Sequence, residues 1–283
     1  MWRSARRLSI FAGSGDLVPH VVQAALEAGY KVQLLALTPR PDLAKIKMVE
    51  AKLDNPLGII WSLKVFRTTH IAFAGGIHLP DKAREGLIRF ANGNSALAGI
   101  GGSGPVGDAE LAAIGSVLKK MTGADLIGVH ELSPDLLAAE GTIAGPALAE
   151  EALVAASYTL GVARAIGGLD IGQAAVASGR RVLAVEDIGG TDALIARIGG
   201  LRRTGLAGDG ATPMVLAKAM KPQQPAFADL PAIGPDTVTN CAAAGIAVIV
   251  VEAGRSLVLQ RAALLEAAGR HGVSVIGIKL SDA

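Results

Sequence analysis

Apolar residues in this chain come in short continuous runs, and between the runs they recur at helical spacing. The runs 8–12, 31–37, 69–74, 124–129, 182–186, 214–218, 247–251 and 273–278 are rich in Val, Ile, Leu and Ala and predict short strands. Unbroken runs of this kind fit strands covered on both faces, as in parallel sheets flanked by helices. Helical periodicity appears over 19–29, with Val22, Ala25 and Leu26 on one face, and again at Leu111, Ile114, Val117 and Leu118. Further helices are predicted over 147–165, 193–198, 235–244 and 260–271. Gly29 is placed as a glycine stop, Asp108 as an N-cap, Thr191 or Asp192 as the cap of the helix that follows them, and Ser133-Pro134-Asp135 as a helix start. Ser178-Gly179-Arg180 sits between two apolar runs and predicts a hairpin, which makes the second sheet mixed. Strands alternate with helices in both halves, so the expected fold is α/β in two domains, 1–143 and 144–283.

One stretch interrupts this alternation. Residues 218–235 hold Pro222, Pro225, Pro231 and Pro235 together with Lys218, Lys221 and the single carboxylate Asp229. Proline fixes its own φ and lacks an N–H, so neither helix nor central strand runs through here. Phe227, Leu230 and Ile233 argue against disorder, and a long ordered irregular segment is a natural place for function.

Composition narrows the classes. Hydrophobic residues make up 51% and charged ones 18%, with 36 glycines, so a large core is available. A net charge of +2 and an aromatic content of 3% do not suit nucleic acid. Cys241 is the only cysteine, which excludes an internal disulfide or a cysteine metal cluster, and its apolar surroundings suggest an inert core thiol. The run 8–12 is too short for a signal-peptide core and 241–251 is too short for a bilayer span, so a cytoplasmic protein is expected.

Candidate chemistry gathers at strand ends and turns. Gly13-Ser14-Gly15-Asp16 follows the first strand and opens a helix, an arrangement suited to anion binding. It is not the full dinucleotide fingerprint, because Val18 occupies the third glycine position. Gly75-Gly76 follows another strand and allows close backbone approach, with His78 just beyond. Asp170, Gln173, Glu186, Thr191, Asp192, Lys218, Lys221 and Asp229 stand at strand ends and turns, and several of them are expected beyond the carboxyl ends of strands, where ligands of open α/β sheets collect. Carboxylates with lysines are what magnesium-assisted phosphoryl chemistry requires. Spacing alone favours a plainer reading of Glu186 and Asp192, as a strand-end ion pair and a helix cap.

Taken in order, the motifs resemble a known family. Leu169-Asp-Ile-Gly-Gln-Ala-Ala-Val, Val182-Leu-Ala-Val-Glu, Gly190-Thr-Asp-Ala-Leu, Lys218-Ala-Met-Lys-Pro, Asp229-Leu-Pro-Ala-Ile-Gly-Pro-Asp-Thr-Val and Val251-Glu-Ala-Gly-Arg255 are similar to the UDP-2,3-diacylglucosamine pyrophosphatases of the LpxI type. Phe11-Ala-Gly-Ser-Gly-Asp-Leu, Ala74-Gly-Gly, Gly107-Asp108 and Val129-His-Glu-Leu extend the resemblance over nearly the whole chain. It implies an N-terminal Rossmann-like domain, a C-terminal α/β domain, and an active site between them. It also implies magnesium-dependent hydrolysis of a lipid nucleotide-sugar to UMP and 2,3-diacylglucosamine 1-phosphate, homodimers, and peripheral contact with the inner membrane.

By the same resemblance Asp229 takes a catalytic and metal-associated role, Asp192 and Lys221 join it in catalysis, and Glu186 joins it as a metal ligand. Substrate binding falls to Gly13, Ser14, Gly15, Asp16, Gly75, Gly76, Gln173, Thr191 and Gln224. Where the family pattern carries charge this chain has Leu79, Ala109, Gly189, Pro225 and Phe227. Those departures keep open an alternative, a paralogue that binds a nucleotide sugar or lipid without turnover.

Overall fold

The computed structural model describes residues 6–76, 108–208, 212–223, 227 and 230–280. They form two compact units. The first runs to Pro134, the second begins at Asp135, and Phe227 returns to the first.

The first unit contains β1 (Arg7–Ala12), α1 (Leu17–Glu27), β2 (Lys31–Ala36), β3 (Lys47–Glu50), α2 (Pro56–Phe66), β4 (His70–Ala74), α3 (Asp108–Thr122), β5 (Asp125–Leu126) and α4 (Val129–Leu132). Its five strands lie in the order β3-β2-β1-β4-β5, and every neighbouring pair is parallel. This is the order of a Rossmann-type sheet, with its switch point between β1 and β4. The core stacks Phe11 on Phe73, with ring centroids 5.1 Å apart, and surrounds them with Leu35, Ile71 and Leu63. Phe227 packs against this cluster, its ring over the bare backbone of Gly115, where a Cβ would come within 3.2 Å of it.

Strand β3, helix α2 and strand β5 differ from the apolar pattern. Helix α2 buries Ile59, Ile60, Leu63 and Phe66 yet leaves Leu57, Trp61 and Val65 exposed. With apolar residues on both faces it lacks the one-sided periodicity that reveals a helix. The Asn55 side chain accepts from the Gly58 N–H at 3.0 Å and Pro56 fills the first position, which is why the helix starts here. The predicted strand 124–129 is cut to Asp125–Leu126. The Glu131 carboxylate accepts the Gly128 N–H at 2.7 Å and turns the chain into the short α4.

The second unit contains β6 (Gly141–Ala144), α5 (Glu150–Gly168), β7 (Ala174–Ser178), β8 (Arg181–Val185), α6 (Gly190–Arg203), β9 (Met214–Lys218), β10 (Ala232–Ile233), α7 (Pro235–Ala243), β11 (Ile246–Glu252), β12 (Leu257–Val258), α8 (Arg261–His271) and β13 (Ser274–Ile278). Six strands form a mixed sheet in the order β6-β13-β11-β9-β7-β8. The central β9, β11 and β13 are parallel, while β7 runs antiparallel to both β9 and β8. The hairpin at Gly179 is present as read, and β10 and β12 form a separate parallel pair. Because β6 pairs with β13, Gly141–Ala144 lies within the second unit.

Alternate residues of the central strands face opposite layers. Val215, Ala217, Val248 and Val250 pack against Ala155, Ala156, Leu160 and Ala163 of α5. Leu216, Ile249 and Val251 pack against Leu194, Ile198, Val238 and Leu264 from the three helices on the other face. The alanines of α5 let that helix lie close to the sheet.

Candidate functional site

The parallel strands of the second unit end at one edge of their sheet, and the polar side chains gather there. β9 delivers Lys218, which is buried and donates from Nζ to the Ala232 carbonyl at 3.1 Å. β11 delivers Glu252, only 2% exposed, whose Oε2 accepts the Met220 N–H at 3.2 Å. Glu252 Oε1 stands 3.6 Å from Arg164 Nη1 and 3.5 Å from Arg255 Nη1, so a helix cation and a loop cation share one carboxylate. A buried charge needs such partners to persist.

After β9 the chain is tied down again. Lys221 Nζ lies 2.7 Å from Asp170 Oδ1. The Gln223 amide donates to the Gly167 carbonyl at 2.9 Å, at the C-terminal end of α5. Asp170 adopts a left-handed backbone at φ 56, a conformation that aspartate tolerates better than most residues but that still costs about 1–3 kcal/mol. The residues entering the proline-rich stretch are therefore fixed at three points: Met220, Lys221 and Gln223.

Beside this clasp, β8 leads to Glu186, which is buried and accepts two hydrogen bonds. The Gln173 N–H donates to Oε2 at 2.7 Å and the Thr191 hydroxyl donates to Oε1 at 2.7 Å. The capping role expected for Thr191 or Asp192 is not what the structure shows. Helix α6 begins at Gly190 after a Gly189 N-cap with no side-chain cap, because the Thr191 hydroxyl is engaged by Glu186. Asp192 is exposed, its Oδ1 3.5 Å from the Asn240 amide nitrogen.

In the first unit the two glycine turns meet each other. Ser14 and Gly76 form an antiparallel bridge, with N–H to carbonyl distances of 3.1 and 3.0 Å, and the Gly13 N–H donates to Ala74 at 2.9 Å. A Cβ on Gly13 would lie 2.3 Å from the Gly76 carbonyl oxygen, so only glycine fits there. The N–H groups of Gly13, Ser14 and Gly76 are thus donated within the backbone. An anion at this turn cannot draw on those three groups, while the start of α1 remains a suitable place for one. Arg40, which no sequence signal singled out, locks the turn from below. It donates from Nη1 to the carbonyls of Gly13 at 3.1 Å and Gly15 at 2.8 Å, and pairs with Asp42 at 2.6 Å. The Arg40 hydrogen bond holds the Asp42 carboxyl below the usual carboxylate range.

Of the residues singled out by sequence, the second unit brings together Asp170, Gln173, Glu186, Thr191, Lys218 and Lys221, and adds Glu252, Arg164 and Arg255. Asp229, Gln224, Pro225, His78 and Leu79 lie outside the described residues. Among the described residues no group of three or more His, Cys, Asp or Glu side chains forms a metal cage. Each Glu186 oxygen already accepts one hydrogen bond. Cys241 is buried as expected, and burial pushes its thiol up to about 12. No helix among the described residues is long and apolar enough to cross a membrane.

The class this defines is a two-unit α/β protein, with a Rossmann-type parallel sheet followed by a mixed sheet whose parallel strand ends carry lysines and buried carboxylates. Comparison with known families agrees along the chain: the LpxI N-terminal domain matches residues 7–136 and the LpxI C-terminal domain matches residues 139–276. The UDP-2,3-diacylglucosamine pyrophosphatase LpxI of Caulobacter vibrioides is 33% identical over 286 residues, covering 96% of this chain and 98% of that protein. The chain belongs to the LpxI family.

Proposed function

We propose that this protein is a hydrolase that cleaves the pyrophosphate bond of UDP-2,3-diacylglucosamine, releasing UMP and 2,3-diacylglucosamine 1-phosphate in lipid A biosynthesis. The observation that carries this reading is the match to both LpxI domains together with 33% identity over 96% of the chain to a pyrophosphatase of that name. In the reaction water adds to one phosphorus, the bridging P–O bond breaks, and the departing phosphate keeps the electron pair.

The clasp at the strand ends supports the reading in physical terms. Lys221 is held in place by Asp170, and the chain is anchored just before it by Glu252, through Met220, and just after it by Gly167, through Gln223. A positive group fixed before the substrate arrives stabilises phosphate charge without having to reorganise. Asp229 and Gln224 belong to the same proline-rich stretch of the sequence, and Thr191 and Asp192 stand in the first turn of α6. The start of α1, next to Gly13, Ser14, Gly15, Asp16, Gly75 and Gly76, is assigned to a phosphate of the nucleotide.

Magnesium is part of the proposal and would be held through Asp229, with Glu186 as a second oxygen donor. Bound there, the cation would offset charge on the pyrophosphate, and such ions commonly take one or two carboxylates plus substrate oxygens. A homodimer and peripheral contact with the inner membrane belong to the same reading.

The test is direct. Purified protein with magnesium should release UMP from UDP-2,3-diacylglucosamine, chelation should stop it, and Asp229→Ala should lower kcat by at least about 10²-fold. Substrate binding by the wild-type protein with no UMP release would overturn the enzyme reading in favour of a binding paralogue.

A further inference from the structure

The outer face of α2 is apolar. Leu57 is 62% exposed, Trp61 70% and Val65 58%. They stand four residues apart on one 11-residue helix, so each follows the last about 40° round the axis and about 6 Å along it. Helical geometry makes them a single strip, opposite the face that buries Ile59, Ile60, Leu63 and Phe66. Scattered surface aliphatics need no explanation, but a contiguous apolar strip containing tryptophan does.

Cations gather at one end of the strip. Lys64 stands on its border and Arg67 caps the C-terminus of the helix, both exposed. Lys47 Nζ lies 5.1 Å and the Arg7 guanidinium carbon 5.6 Å from the centroid of the Phe66 ring, and Arg7 also donates to the Phe66 carbonyl at 3.1 Å. These four side chains come from β1, β3 and the end of α2, so it is the folded sheet that brings them together. Among carboxylates of the flanking segments, Glu50 faces Lys52 at 3.7 Å, and Asp54 precedes the opposite end of the helix. Cations near a helix C-terminus complement its carbonyls, but that leaves the apolar strip beside them unexplained.

We propose that this face of α2 docks on an anionic phospholipid bilayer, with Trp61 at headgroup level and Arg7, Lys47, Lys64 and Arg67 facing the lipid phosphates. Tryptophan suits that boundary because its ring is apolar while its indole N–H is polar. An apolar helix face and a basic cluster each bind anionic membranes weakly, and side by side they reinforce one another. A second copy of this chain fits less well. The three side chains expose on the order of 400 Å² at most, about half of what each partner contributes to a stable protein interface. Two-fold pairing across the strip would also set Lys64 and Arg67 against the same cations of the other copy. The proposal rests on the pyrophosphatase reading only in extending its membrane contact, and its test needs no substrate, so the two can fail separately.

The experiment uses the full chain carrying Trp2→Phe, which leaves Trp61 as the sole tryptophan. The probes are vesicles of phosphatidylcholine, with and without phosphatidylglycerol. With phosphatidylglycerol the protein should sediment with the vesicles and Trp61 emission should move to shorter wavelength. Leu57→Ser/Val65→Ser, which keeps the reporter, should weaken binding at least about tenfold. Lys64→Glu/Arg67→Glu should remove the preference for phosphatidylglycerol. Urea midpoints close to that of the parent are expected, since all four substituted side chains are exposed. Sedimentation without any shift in Trp61 emission overturns the proposal by placing the contact elsewhere, as does binding that both double variants leave intact. A concentration-dependent dimer that Leu57→Ser/Val65→Ser dissociates overturns it too, and assigns the strip to a second copy. None of these outcomes touches UMP release from detergent-dispersed substrate, which tests the enzyme reading by itself.

Discussion

Cys241 sits on α7 with its thiol in the core of the second unit, where burial pushes its pKa up to about 12; nearby Lys218 pulls the other way and Asp192 adds to the rise. Folding therefore favours the neutral thiol. The contribution is complete below the unfolded value near 9 and is lost as pH rises from there towards 12. Between pH 8 and pH 10.5 the urea midpoint of wild type should fall further than that of Cys241→Ala, which lacks the ionising group. An equal fall in the two proteins would contradict this. The inertness of this thiol was legible from its Ala-rich surroundings. The partner of Thr191 was not, since a threonine before an apolar run signals a cap and only the tertiary fold supplies Glu186. Glu252 did leave a signal that sequence reasoning passed over. Like Glu186, it is a carboxylate closing an apolar strand.

The turns after β1 and β4 behave as a single element. Gly75 combines a backbone at φ 84 with a position where a Cβ would come within 2.3 Å of the Ser14 carbonyl oxygen. Gly75→Ala should thus cost on the order of 2 kcal/mol or more, read as a lower urea midpoint, through backbone strain and loss of the bridge. A midpoint within error of wild type would show that the two turns are not locked together. Strands were the most legible elements, because a buried parallel sheet writes itself as unbroken apolar runs. Helix α2 was not, because Leu57, Trp61 and Val65 fill the face that polar residues usually mark. Strands β10 and β12, at two residues each, are too short to carry any period. The glycine turns were read as open to phosphate. What sequence could not show is that they would bond to one another.

At the scale of the molecule, the two-unit α/β plan and the mixed second sheet followed from alternation and from the hairpin at Gly179. Phe227 broke the pattern. In sequence it belongs to the proline-rich stretch, and in the structure it packs, partly buried, against the core of the first unit beside Leu126 and over Gly115. Phe227→Ala should lower the stability of that unit by about 2 kcal/mol, less than a fully buried phenylalanine because it is half-buried. Both tryptophans, Trp2 and Trp61, lie in the first half of the chain, so their emission should report the loss. The same residue imposes an order in time. A ribosome making about 5–20 residues per second needs roughly 5–20 s to cover the stretch between Pro134 and Phe227. Throughout that interval the nascent first unit has its five strands but lacks one core side chain, so it matures only after much of the second unit has been synthesised.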